Sequence, residues 1–337
     1  MNRRTRAVGI IVGGHFLGAI NMATGSDAGL MGMSRANYLR LLAFFLAPAV
    51  IIYSVFSIYP LLATIFSSLY LRQTDGSYIF NGLGNFGTLL TDTTWSVSFW
   101  NAMKNNFVFF LIHMCVQNPI GIALAALLSL PQLKFRAAYR TLIFMPTMLS
   151  VVIIGFSWQL ILSPLWGISR TLLKSVGLGA FFAPWLGQES TALITVSLIS
   201  VWQFVGIPMI LIYTALLAIP DELVDAATVD GLNQFQTFFF VKLPLIIPAI
   251  GLVSVLTFVN NFNAFDLIYA MKGALAGPNF SSDIMGTLFY RTFFGNQLQL
   301  GDASMGSTIA TMMFLIILLG LMVYLFVIQR RIQRYSF

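Results

Sequence analysis

Six apolar stretches, near residues 39–69, 105–130, 142–163, 191–217, 245–270 and 307–329, constrain this chain more than any other feature. Each is close to the roughly 20 residues that a helix needs to cross a bilayer. Hydrocarbon offers no water to satisfy peptide groups, so such segments are expected to be helical. A transmembrane β-barrel would instead alternate polar and apolar over about ten residues. Pro48 and Pro60 predict a kink or break in the first segment. Composition agrees: 9% of the residues are charged, against about 25% in soluble domains. That is too few to wet a water-soluble globule of 337 residues. The expected fold is an all-α membrane protein with six transmembrane helices.

A net charge of +7 alone is compatible with nucleic-acid binding, but the cations flank the apolar segments instead. Arg3, Arg4, Arg6, Arg35, Arg40, Lys134, Arg136, Arg140, Lys242, Arg330, Arg331 and Arg334 fall on one side. Arg72, Lys104, Arg170, Lys174, Lys272 and Arg291, half as many, fall on the other. The positive-inside rule then makes both termini cytoplasmic, with 131–141 and 218–244 as cytoplasmic connections. Residues 70–104, 164–190 and 271–306 connect the segments on the outer face. Residues 1–38 read as a cytoplasmic tail, poorly ordered or partly apolar, or as the product of an upstream start codon. Within them Ala7 to Ile20 resembles a secretory signal, diluted by Gly9, Gly13, Gly14, Gly18 and His15 and followed by no clear cleavage site. Residues 39–337 read as one membrane domain without internal repeats.

Several chemistries are unsupported. Cys115 has no second cysteine to pair with, and with only His15 and His113 beside it a dense metal site is not expected. No glycine-rich loop ending in Gly-Lys-Ser/Thr occurs, so ATP hydrolysis is not expected of this chain. No nucleophile–base constellation suggests a membrane enzyme.

The connection 219–244 stands out. Pro220 is followed by Asp221, Glu222, Asp225 and Asp230, four of the eleven acids in the chain. Proline and then carboxylates favour a helix start, because anions suit the positive end of the helix dipole. Gly231 is placed to end that helix, and a second short helix is expected from Gln234 to Val241, stopping before Pro244. The result is a helix-turn-helix beneath the membrane, with Leu223, Val224, Ala227 and Phe235 available to a partner.

Asp225-Ala226-Ala227, then Gly231, then Val241-x-Leu243-Pro244 resembles the EAA loop of ABC-importer permeases, most closely the sugar-type branch. Gly82-Leu83-Gly84-Asn85-Phe86, Arg140-Thr141-Leu142, Met145-Pro146, Trp158, Phe265-Asp266-Leu267-Ile268-Tyr269 and Gly277-Pro278 match that branch in order. The resemblance departs at Asp225, where the family carries glutamate, at Val241 for isoleucine, and at Ala276-Gly277-Pro278 for Gly-Gly-Pro. It implies a permease subunit paired with a second permease, an ATPase homodimer that uses ATP and Mg, and a periplasmic or lipid-anchored substrate-binding protein in a bacterial inner membrane. Asp225, Ala226, Ala227, Asp230, Gly231, Leu243 and Pro244 would form the contact with the ATPase, and this chain itself would hold no cofactor.

Polar residues within the apolar segments mark where a path could run. Asn260, Asn261, Asn263 and Asp266 crowd one end of the fifth segment. Polar groups at membrane depth are costly unless paired or wet, so they tend to face the interior. Amides both donate and accept, which suits the hydroxyls of a neutral polyol; hydrogen bonding between helices is the competing role. Trp158 with Gln159, and Trp202 with Gln203, are weaker candidates: indole faces pack on sugar rings, but Trp near segment ends more often belongs to the interfacial belt. Gln117 and Asn118 read as packing, and His113 as a satisfied interior side chain rather than a proton relay. Apart from Arg40 at the edge of the first, no Lys or Arg lies inside a segment, which disfavours a strongly anionic substrate. Glycerol phosphate or another polar solute remains an alternative cargo. An ion-coupled secondary transporter is the alternative class, resting on Asp266 and His113.

Overall fold

The computed structural model describes residues 34–73, 75–130, 132–296 and 299–329. The cations Arg3, Arg4, Arg6, Arg330, Arg331 and Arg334 and the segment from Ala7 to Ile20 lie outside them. The chain divides into two compact units, Met1–Ala63 and Thr64–Phe337. In the first, α1 (Arg35–Tyr53) passes through a π turn, Ser54–Ile58, into α2 (Tyr59–Ser67), which runs on into the second. Pro48 is accommodated inside α1, so the expected disturbance is found at the π turn before Pro60.

Three of the four π turns among the described residues share a setting; the fourth, Tyr324–Gln329, has no proline after it. π turns at Ser54–Ile58, His113–Gln117 and Phe238–Lys242 each stop two residues before a proline, namely Pro60, Pro119 and Pro244. Proline removes an N–H and crowds the carbonyl four residues back. Widening the preceding turn to an i→i+5 pattern relieves that clash without ending the helix. The helix expected to stop before Pro244 therefore continues through it, as α12 (Gln234–Thr237), the π turn and α13 (Leu243–Leu245).

The second unit opens with an antiparallel hairpin, β1 (Tyr70–Arg72) and β2 (Tyr78–Phe80), in the register Tyr70↔Phe80. Asn85, buried at the start of α3 (Gly84–Thr91), donates to the carbonyls of Ser68 and Tyr70, both at 2.9 Å. The Gly-Leu-Gly-Asn-Phe motif thus serves as a latch on the hairpin. Next come α4 (Trp95–Ile112), α5 (Asn118–Leu128), α6 (Arg136–Met148), α7 (Val151–Leu162) and the short α8 (Ser169–Ser175). They are followed by α9 (Glu189–Phe204), α10 (Gly206–Leu217) and α11 (Asp221–Val229). Beyond α13 lie α14 (Ile247–Phe262), α15 (Asp266–Lys272), α16 (Met285–Phe294) and α17 (Ala303–Val323).

Among the described residues, Leu39–Ser67, Trp95–Leu128 and Ala303–Phe326 are continuous helical segments long and apolar enough to cross a membrane. The second starts well before the expected 105, so Lys104 sits in a helix. The third expected segment, 142–163, is not one helix: α6 and α7 meet at 93°. Leu149 and Ser150 there are extended, and helix α9 secures the break. Thr147 Oγ1 donates to the Gln203 carbonyl at 2.9 Å, and Gln203 Nε2 reaches the Leu149 carbonyl at 3.5 Å. The fourth expected segment bends 41° between α9 and α10, just ahead of Pro208. The α12–α13 arm meets α14 at 67°, just ahead of Pro248. The fifth segment, expected to run to 270, ends at Phe262, and α15 is a separate helix.

Three clusters hold the second unit together. Leu89, Phe99, Met285, Leu288 and Ile309 join α3, α4, α16 and α17. Phe109, Ile154, Val196 and Ile268 join α4, α7, α9 and α15. Ala125, Met209, Ile212, Ile246 and Val253 join α5, α10 and α14. The approach of α16 to the turn between α14 and α15 depends on Gly286, where a Cβ would lie 2.4 Å from the Ala264 carbonyl oxygen. Gly286→Ala is therefore expected to destabilise the chain by about 1–3 kcal/mol, since overpacking at backbone cannot be relieved by a rotamer change. Thermal unfolding in detergent measures it, and an unchanged midpoint would contradict so close an approach.

Candidate functional site

A cavity of about 360 Å³ lies where α4, its π turn, α9, α10 and α14 converge on the turn before α15. The break between α9 and α10 admits it: Phe204, Ile207 and Pro208 form one wall. Asn260, Asn261, Asn263 and Asp266, expected from the sequence, all line it. So do His113 and Gln117, which read in the sequence as interior or packing residues, and Ser200, which carries no local signal there. The i, i+4 spacing of His113 and Gln117 was the available signal, but nothing local could bring Ser200 beside them.

The polar groups divide into two kinds. His113 is committed on both ring nitrogens, Nδ1 to the Phe109 carbonyl at 2.8 Å and Nε2 to Ser200 Oγ at 3.0 Å. Asn261 is buried and donates to the Thr257 carbonyl at 2.7 Å, while its own carbonyl accepts from Asn106 at 3.1 Å. Thr257 in turn donates to Asn118 Oδ1 at 3.1 Å. These side chains tie helices together. Asn260 and Asn263 are different: both are exposed, and neither side-chain amide is hydrogen-bonded among the described residues. Asn263 caps the end of α14 and Asp266 opens α15. Among the described residues, no Lys or Arg lines the cavity.

Trp158, Gln159, Trp202 and Gln203 lie outside its walls. Trp158 and Trp202 pack edge to face with centroids 5.5 Å apart. Gln159 donates to the carbonyls of Ala270 and Met271, joining α7 to α15. Gln203 is fully buried at the α6–α7 break. In this structure all four work in packing and backbone satisfaction.

The elbow 219–244 is built by its caps. Pro220 precedes α11, Asp221 and Glu222 fill the first turn, and Gly231 follows the last at φ +83°. Gly231 N–H donates to the Thr228 carbonyl and Leu232 N–H to the Ala227 carbonyl, both at 3.0 Å. That pair of bonds is a Schellman close, which needs a left-handed residue at the glycine position. Asn233 then starts the second arm with a capping box to Gln236, both bonds 2.9 Å. Ala227 was expected to face a partner but is buried where α11 packs on the second arm, its methyl small enough to let the two helices meet. Asp221, Glu222, Asp225, Ala226 and Asp230 are exposed, Leu243 is half-buried and Pro244 is exposed. None of the four carboxylates is in a salt bridge among the described residues. Beside them Val229 is 87% exposed and Phe235 and Phe240 are each 72% exposed.

At the opposite end of α14, the connection leading to α16 is held by buried polar groups. Asn105 donates to the carbonyls of Ser281 and Asp283 at 3.2 and 2.9 Å, and Asn106 accepts from Met285 N–H at 3.2 Å. Asp283 meets Arg291 at 2.5 Å and accepts from Thr287 at 2.7 Å. Burial pushes the Asp283 carboxyl above its ordinary value, opposed by Arg291 and Thr287.

A multi-pass helical protein with a polar cavity among broken helices and a capped amphipathic elbow is built as a membrane permease. The chain belongs to the family of binding-protein-dependent transport system inner membrane components, whose profile matches residues 117–334. It is a permease subunit, not an enzyme. It is 31% identical to the probable ABC transporter permease protein YurN of Bacillus subtilis, over 81% of this chain and 91% of that one. It is 28% identical to the lactose transport system permease protein LacF of Rhizobium radiobacter, over 74% and 82%. Its fold matches a crystal structure of a bacterial ABC transporter involved in the import of the acidic polysaccharide alginate. That likeness has a TM-score of 0.70 at 22% identity, covering 87% of this chain and 95% of that one.

Proposed function

We propose that this chain is one of two permease subunits of an ATP-driven carbohydrate importer in a bacterial plasma membrane, with both termini cytoplasmic. The observation that carries the coupling half is the elbow. Four exposed carboxylates without an ionic partner and a cluster of exposed apolar side chains sit on a helix pair stiffened by two caps. Such a surface suits a groove with basic and apolar walls on an ATPase dimer, which would hold the ATP and Mg. Closure of that dimer would move the elbow as a rigid handle and rock α12 to α14 against the cavity. Asp225 stands where the family's glutamate does, one methylene shorter, so its basic partner would have to approach closer.

The cavity supports the choice of cargo. Free amides at Asn260 and Asn263, one carboxylate at Asp266 and no cation suit a neutral polyol better than a phosphorylated solute. The lactose permease relative points the same way. A soluble binding protein would deliver the sugar to the outer face, as the family description implies.

Reconstitution tests this. In proteoliposomes with a second permease, the ATPase and a sugar-loaded binding protein, uptake should require ATP; uptake by the chain alone under a proton gradient would instead indicate a secondary transporter. Asn260→Leu with Asn263→Leu is expected to lower uptake about tenfold, for two neutral hydrogen bonds of roughly 0.7 kcal/mol each, with assembly intact. Uptake equal to wild type would remove these amides from the path.

A further inference from the structure

The connection between α7 and α9 is explained neither by the cavity nor by the elbow. From Ser163 to Gln188 it contains no acid, while Arg170 and Lys174 lie on α8. Leu165 and Trp166 are 85% and 84% exposed, and Ile168, Leu172 and Val176 are also exposed.

Their placement is ordered. Leu172 N–H donates to the Ile168 carbonyl at 2.9 Å and Val176 N–H to the Leu172 carbonyl at 3.3 Å, so helical register extends through both ends of α8. Ile168, Leu172 and Val176 therefore form one i, i+4 stripe. Arg170 and Lys174 fall halfway between, on the opposite face of a 3.6-residue turn. Arg170 also lies 5.9 Å above the Phe182 ring, which ties α8 to the later part of the connection. Both flanks of the segment are bent helix pairs apolar enough to be membrane spans. Read as spans, these pairs put the ends of the segment at the bilayer boundary.

We infer that the segment Pro164–Val176 lies in the phospholipid interface. Its Ile168–Leu172–Val176 face enters the acyl boundary, and Arg170 and Lys174 reach back to anionic headgroups. Charge complementarity selects this occupant: two cations with no acid match phosphates, and the apolar stripe behind them has the form of an interfacial amphipathic helix. Tryptophan at the end of an apolar segment is typical of that depth. An anchor there would fix the end of α7 while α6 moves about the 93° break.

Spin labels test the inference in the whole chain. Single cysteines in place of Leu172, Val176 or Lys174, in a Cys115→Ser background, are labelled and reconstituted into vesicles of phosphatidylcholine with phosphatidylglycerol. Labels at Leu172 and Val176 should show an oxygen-to-nickel-chelate accessibility ratio several-fold above that at Lys174. Equal or inverted ratios would overturn the placement. Arg170→Glu with Lys174→Glu should raise nickel access at Leu172 several-fold; no change would overturn the role of the cations. Shielding of Leu172 and Val176 that appears only when a soluble binding protein is added would assign the face to protein docking and overturn the inference. Because none of the three labelled positions is packed inside the protein, loss of structure does not confuse the readout.

Discussion

Gly231→Pro is expected to abolish nearly all ATP-driven uptake while the chain still inserts and pairs. The glycine sits at φ +83° and donates the bond that closes α11 onto Thr228. Proline locks φ near −65° and has no N–H to donate, so the two arms of the elbow would lose their fixed angle. Gly231→Val should be milder but still strong, because a left-handed β-branched residue costs roughly 1–2 kcal/mol. Gly231→Asn should keep most of the activity, since asparagine tolerates that conformation. Steric crowding predicts a different order. A Cβ at this position meets nothing within 4 Å, so side-chain bulk has no direct cost. Uptake falling in the series Asn, Val, Pro in reconstituted vesicles, with membrane insertion constant, ties transport to backbone conformation. Full uptake by the proline variant would falsify the elbow as the coupling handle.

Arg291→Leu is expected to cost about 3–5 kcal/mol of stability, the penalty for leaving a buried carboxylate without its partner. Arg291 is 5% exposed and Asp283 fully buried. Asp283 Oδ2 already lacks a partner, so the arginine and Thr287 carry its compensation. The double variant Asp283→Asn with Arg291→Leu should recover much of the loss, because the remaining amide is neutral. Recovery measured by thermal unfolding in detergent separates charge from packing. If the double variant is no more stable than Arg291→Leu, then packing of the guanidinium on Phe280, 4.7 Å from its ring, is the larger contribution.

The same pair sets a pH dependence. Burial holds the folded-state value of Asp283 above its ordinary 3.8. A carboxyl with a raised folded value favours the fold most when protonated. Its contribution is complete below the ordinary value and is lost as pH rises through the folded one. Removing Arg291 takes away a group that holds the value down, so Arg291→Leu should gain stability relative to wild type as pH falls toward 4. A constant gap between the two proteins from pH 7 downward would contradict this.

The elbow was the most legible part of the chain. Its signals are local: Pro220, the acids that follow it, and Gly231. The extent of its second arm was misjudged, because a π turn lets a helix pass through Pro244. Four of the eight proposed path residues line the cavity, all from the run Asn260 to Asp266. The other four are absorbed by packing, since a Trp-Gln pair in an apolar segment looks the same whether it faces a cavity or a neighbouring helix. The buried pair Asp283–Arg291 gave no signal, as both residues read as ordinary members of a polar connection.

Periodicity, charge asymmetry and helix start and stop signals act over a few residues, and through them the amino-acid order alone determined a mostly helical membrane chain with an acidic elbow; the hairpin Tyr70–Phe80 was not read from it. Tertiary structure decided the 93° break at Leu149–Ser150, the meeting of His113 with Ser200 and which asparagines stay free. Each of these depends on a backbone or side-chain group being satisfied by a helix distant in sequence, and hydrogen bonds across such distances leave no period to read.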